Sequence, residues 1–133
     1  MNNENPYLFR FNTELDTSFL QDLFDGDMEY AAQVFGDFLD SLPGYWQEVQ
    51  QAYDSGNLPA LKAAIHKCKT LFGYVGHTKM LNLVQTFENR CGTAREIEEI
   101  AVEYKELNLK RGEATEMIKE EYKRLQDHGG NSI

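Results

Sequence analysis

Residues 57–76, NLPALKAAIHKCKTLFGYVG, are the stretch on which the fold turns. Leu61, Ile65, Cys68, Phe72 and Val75 recur in steps of three and four, the spacing of one helix face. Asn57 is placed to cap this helix, Pro59 falls in its first turn where a missing N–H is tolerated, and Gly76 ends it. The opposite ridge carries Lys62, His66, Lys69, Thr70, Gly73 and His77, so these side chains are expected to face solvent. Gly73 sits mid-helix, where glycine costs about 1 kcal/mol against alanine. On an outer ridge such a residue suits the close approach of another molecule's backbone.

The same period extends on both sides. TSFLQDLF, residues 17–24, reads as a short amphipathic helix stopping near Gly26, and Asp27 as the N-cap of the next. That next helix buries Met28, Ala32, Phe35, Phe38, Leu39, Leu42, Trp46, Val49 and Tyr53 and ends at Gly56, with a kink or short break expected between Ser41 and Gly44 because Pro43 lacks an N–H. A fourth helix is expected from about His77 to Arg90, with Met80, Leu81, Val84 and Phe87 inward and Gly92 stopping it. From about Thr93 to Leu125 a heptad-like rhythm runs through Ile97, Ile100, Tyr104, Leu107, Ala114, Ile118 and Leu125, with Gly112 a potential kink. Strand alternation is absent. Long amphipathic helices joined by short turns predict an all-α, antiparallel four-helix bundle with a short N-terminal helix over one end and a long C-terminal helix. A coiled coil built on residues 93–125 is the alternative. The core is expected over about 17–125, with tails 1–6 and 128–133 disordered.

The chain has 133 residues, 41% of them hydrophobic and 26% charged, which suits one globular domain, 1–133. No apolar run approaches the roughly 20 residues of a membrane span, and the start MNNENPYLFRFNTE has no basic-then-apolar leader, so a cytoplasmic protein is expected. Cys68 and Cys91, 23 positions apart, make neither a disulfide framework nor a metal spacing. No metal site is expected. A net charge of −9 disfavours nucleic acid and anionic membrane as partners.

That charge is unevenly spread. Residues 1–54 hold eleven acids and one base, whereas residues 55–87 hold no Asp or Glu and include Lys62, Lys67, Lys69 and Lys79. His66 and His77 fall in the same window, which reads as a docking face for an acidic partner. Glu88 borders the apolar stripe of the fourth helix. If helices three and four are antiparallel, Glu88 can accept a hydrogen bond from one ring nitrogen of His66, with Gln85 assisting, and leave the other nitrogen's lone pair outward as a nucleophile. Lys69, one turn on, can hold an ammonium beside whatever the imidazole carries.

Residues 30–91 resemble a histidine-containing phosphotransfer (HPt) domain of two-component phosphorelays. The likeness rests on AIHKCKTLFGYVG, residues 64–76, behind YAAQVFGDFLDSLPGYWQEVQQAYDSGNLPALKA. The family pattern of His, any residue, an apolar residue, Lys and Gly, with a further glycine ten places after the histidine, is met by His66, Cys68, Lys69 and Gly76. Glu88 occupies the place, 22 residues on, where the family commonly has Gln or Glu. Thr70 departs from the usual glycine and Cys68 from the usual leucine.

The resemblance implies that His66 accepts a phosphoryl group from an aspartyl phosphate on a receiver domain and passes it to another, with Lys69 offsetting phosphate charge and Glu88 orienting the ring. Lys62, Lys67, Thr70, Gly73, His77 and Lys79 would meet the partner, a response regulator receiver domain or hybrid histidine kinase. No cofactor is implied, magnesium being expected on the receiver, and no nucleotide-binding motif suggests a kinase. The start Met1 and full-length helices fit a stand-alone protein, and a monomer is expected. A bundle that binds receivers or helices without being phosphorylated is the alternative, and Thr70 is its best argument.

Overall fold

The computed structural model describes residues 9–130, and among these there are helices and no strand. The order is α1 (Thr17–Phe24), α2 (Met28–Asp54), α3 (Leu58–Tyr74), α4 (Thr78–Thr93), a 3₁₀ turn (Ile97–Ile100) and α5 (Ala101–Gly130). Helices α2 to α5 pack in a ring around one apolar core, α3 against α2 and α4, and α5 against α2 and α4, while α1 lies against α2. This is the four-helix bundle that the periodicity predicts.

Two turns fix the direction of the central helices. At the end of α3 the His77 N–H donates to the Phe72 carbonyl (3.0 Å) and the Gly76 N–H to the Gly73 carbonyl (3.1 Å), a Schellman motif with Gly76 at φ +67°. At the end of α2, Asn57 donates to Ala52 and Gly56 to Tyr53 in the same way, both at 3.0 Å. In each turn the last residue also caps the next helix: Asn57 Oδ1 accepts from the Ala60 N–H, and His77 Nδ1 from the Met80 N–H. One residue thus closes one helix and opens its antiparallel neighbour. Gly76 has a second constraint, since a Cβ there would lie 2.9 Å from Leu20 Cγ of α1.

Several expectations are corrected. Helix α2 runs unbroken through Pro43, because Pro43 lies on the exposed side while Leu42 and Trp46 are buried, so packing outweighs one missing bond. Helix α4 does not stop at Gly92 and runs on to Thr93, its last turn anchored by buried Cys91. Helix α5 starts at Ala101 behind a 3₁₀ turn whose Glu96 and Glu99 form a capping box, and Gly112 does not break it, since Leu107, Ala114 and Ile118 are buried to either side. Residues 128–130, assigned in sequence to a tail, continue α5, whereas the expected tails 1–6 and 131–133 lie outside the described residues. The core begins before residue 17: Phe9, Phe11 and Leu15 are all buried.

That N-terminal strap is clasped to the far end of α5. Glu121, 2% exposed, accepts from the Asn12 N–H at 2.9 Å and pairs with Arg124. Arg124 also donates to the Arg10 carbonyl (2.8 Å) and lies over the Phe9 ring (4.6 Å). Local periodicity carries no trace of this contact across 109 residues.

His77 is the largest correction. It is 5% exposed, not on the outer ridge, because the turn at Gly76 ends α3 before it and directs its ring inward against Phe72. Burial lowers its pKa from the ordinary 6.5 or so. The unfolded chain therefore takes up a proton that the fold resists, and stability falls as pH drops below the ordinary histidine value. Between about pH 7 and 5.5, denaturant midpoints should fall more steeply for wild type than for His77→Asn, which keeps a cap but cannot titrate. Equal slopes would show that His77 protonation does not oppose folding.

Candidate functional site

With α3 and α4 antiparallel, each step down one exposed edge is matched by a step up the other. Lys62 meets Gly92, His66 meets Glu88, and Lys69 meets Gln85. His66 Nδ1 lies 3.0 Å from Glu88 Oε2, and Lys69 Nζ donates to Glu88 Oε1 (3.1 Å) and Gln85 Oε1 (2.7 Å). Gln85 Nε2 in turn donates to Asn89 Oδ1 at 3.0 Å. Asn89 was not singled out from sequence, although it lies one helical turn beyond Gln85, where such pairs form.

Exposure is graded across the cluster. The His66 side chain is 61% exposed, Lys69 22% and Glu88 12%. Partial burial pushes the Glu88 carboxyl up, but hydrogen bonds from Lys69 and His66, with their charges, outweigh it and hold the carboxyl below its usual range. An ionised carboxylate only accepts, so Nδ1 of His66 must carry the hydrogen it shares. Nε2 is then the nitrogen with the free lone pair. Lys69 has three N–H groups, of which two are engaged, leaving one to offer an incoming anion.

Beside this cluster Lys69, Thr70, Gly73, Tyr74, Leu81, Asn82 and Gln85 line a shallow hollow of about 520 Å³. A Cβ on Gly73 would meet nothing within 4 Å, so no close packing inside the bundle requires glycine here. Tyr74, more than half exposed, adds an aromatic rim that the sequence reading did not pick out.

The expected basic face divides three ways. Lys62 and Lys69 stand on the α3–α4 edge. Lys67 turns towards α2, 3.6 Å from Glu48, because consecutive helical residues point about 100° apart. Lys79 lies beyond the Gly76 turn, beside a cavity lined by Glu14, His77 and α5 residues. His77, buried, is no part of the surface. Among the described residues no group of three or more His, Cys, Asp or Glu is arranged to hold a metal ion, and no helix is long and apolar enough to cross a membrane. The cysteines are buried thiols, Cys68 pushed up to about 12 and Cys91 to about 11, chiefly by burial.

An exposed imidazole on one helix is thus held by a carboxylate on its antiparallel neighbour at the surface of an all-α bundle. The Hpt-domain family matches residues 33–128, and the chain belongs to that family. Hpt domains are the phosphotransfer domains of two-component systems, carriers and not kinases. The fold is similar to that of the HPT domain from the Hpt sensor hybrid histidine kinase of Shewanella, with 19% identity, a TM-score of 0.61, and coverage of 90% of this chain and 97% of that one. No curated protein matches the chain.

The Glu88 cluster has its own pH signature. A carboxyl held below its ordinary value contributes stability that is present above that value and lost as pH falls through the lowered one. Carbon-detected NMR titration should place the Glu88 midpoint below the ordinary carboxylate range, and Lys69→Met should raise it. A midpoint unmoved by Lys69→Met would show that Lys69 does not stabilise the carboxylate.

Proposed function

We propose that the chain works as a single phosphotransfer domain with His66 as the phosphoacceptor, taking its phosphoryl group from the aspartyl phosphate of one receiver domain and passing it to another. The observation that carries this reading is the His66–Glu88 hydrogen bond on an otherwise exposed ring. The Nε2 lone pair attacks phosphorus in line, the N–P bond forms, and the acyl-phosphate P–O bond breaks to release the receiver's carboxylate. Nδ1 keeps its proton, so the product is a phosphoimidazolium whose positive ring faces Glu88. The same protonated ring is a good leaving group for the return step, and direction follows from the partners.

Lys69 offers its remaining N–H to the phosphoryl oxygens and holds Glu88 in place. Gln85 fixes Lys69. The Thr70–Gly73 hollow and Lys62 are offered to the receiver. The receiver brings magnesium on its own carboxylates, so this domain requires no metal, and its setting is the cytoplasm, where such partners work. A second reading, binding without phosphorylation, draws on exposed Thr70 at the rim of the hollow.

Incubation with a phosphorylated receiver separates the two readings. Wild type should acquire acid-labile, base-stable phosphate, whereas His66→Gln should acquire none while its stability changes by less than about 0.5 kcal/mol, as for an exposed position. Receiver binding without such phosphate would establish the second reading.

The carboxylate gives a graded test. Glu88→Gln keeps an acceptor for Nδ1–H but loses the charge that stabilises the phosphoimidazolium, and Glu88→Ala loses both. Phosphorylation rates should therefore fall from wild type to Gln to Ala without reaching zero. A Glu88→Ala rate equal to wild type would show that Glu88 neither orients nor stabilises the ring.

A further inference from the structure

Lys62 stands one turn before His66 on the same exposed edge of α3. Its side chain crosses to α4 and lies over Gly92: a Cβ at Gly92 would be 3.0 Å from Lys62 Nζ, 3.6 Å from Cε and 3.9 Å from Cδ. Any larger residue at 92 would displace the end of that stem. The His66–Glu88 pair is therefore flanked by a lysine on each side, Lys69 towards Gln85 and Lys62 towards Gly92.

The two lysines differ in what they already hold. Lys69 gives two N–H groups to Glu88 and Gln85. Among the described residues no carboxylate lies within ion-pair distance of Lys62, although its edge of the bundle includes Glu88 one turn along α4. Lys67, the other nearby cation, is turned to Glu48. Lys62 thus keeps its ammonium uncommitted, on a stem long enough to reach a group on the preceding or following turn.

We propose that Lys62 is a second phosphate-binding residue, whose ammonium contacts the phosphoryl oxygens once the group is on His66 Nε2, opposite the N–H supplied by Lys69. This deepens the phosphoacceptor reading and rests on it. Lys69 primarily holds the carboxylate that orients the ring; Lys62 supplies the free charge. The notch at Gly92 lets the stem lie close to the surface of the edge that carries the imidazole.

Phosphoramidate, a small donor, isolates this role from partner docking. The N–P bond to His66 forms, the donor's P–N bond breaks, and ammonia leaves. Lys62→Gln should slow phosphorylation and shorten the lifetime of phosphohistidine by roughly two- to fivefold, the scale of a surface charge pair. The 31P titration of the phosphoryl group should shift towards higher pH in that variant, because a dianion has lost a nearby cation. Lys62→Arg should restore both, and added salt should narrow the gap between wild type and Lys62→Gln. Wild-type rate, lifetime and 31P titration in Lys62→Gln would overturn the assignment of Lys62 alone. No phosphohistidine on wild type from either phosphoramidate or a phosphorylated receiver would overturn the reading of His66 on which it rests.

Discussion

The turn at Gly76 holds α3 and α4 in one antiparallel register, and the chemistry of the surface depends on that register. Its left-handed φ lets two backbone N–H groups close α3 while His77 opens α4. Moving α4 by a single residue would rotate Glu88 by about 100° and take its carboxylate away from His66. Leu20 of α1 packs where a side chain on residue 76 would have to go, and the Asp16 N–H donates to the Gly76 carbonyl at 2.8 Å. The small first helix therefore buttresses the turn that aligns the site.

Local pattern made the bundle legible. The apolar stripes of α2 and α3 and the N-caps Asp27 and Asn57 stand where spacing and composition place them. The pairing of His66 with Glu88 was also readable, given only that two short-linked helices run antiparallel. What escaped was long-range or set by competition between forces. Pro43 does not break α2, because the rule for an isolated helix ignores the buried faces on either side. His77 looked like a ridge residue only on the assumption that α3 continued through Gly76. The acid Glu121 is buried with one partner, Asn12, 109 residues away in the chain, which no helical wheel can show.

The basic window illustrates how a linear cluster need not be a surface cluster. Four lysines within 33 acid-free residues are distributed over three faces by helical rotation and one turn. Two remain on the α3–α4 edge that carries the imidazole, and an acidic protein keeps there a narrow strip of opposite sign. Sparse positive charge of this kind favours a small anionic group over a broad acidic surface. The hollow beside it, with Tyr74, Leu81 and an open Gly73, supplies apolar contact that charge alone would not.

The clasp between residues 9–16 and the end of α5 also constrains how the protein comes into being. Its hydrogen bonds join residues separated by more than a hundred positions, so they cannot form until α5 has left the ribosome. During synthesis Phe9 waits without Arg124 and His128, its partners on α5, while the hairpins of α2, α3 and α4 can already close through short turns. The earliest of these residues to be made is thus among the latest to settle. A docked strap then reports that α5 has been made and packed, giving the four helices a built-in mark of assembly.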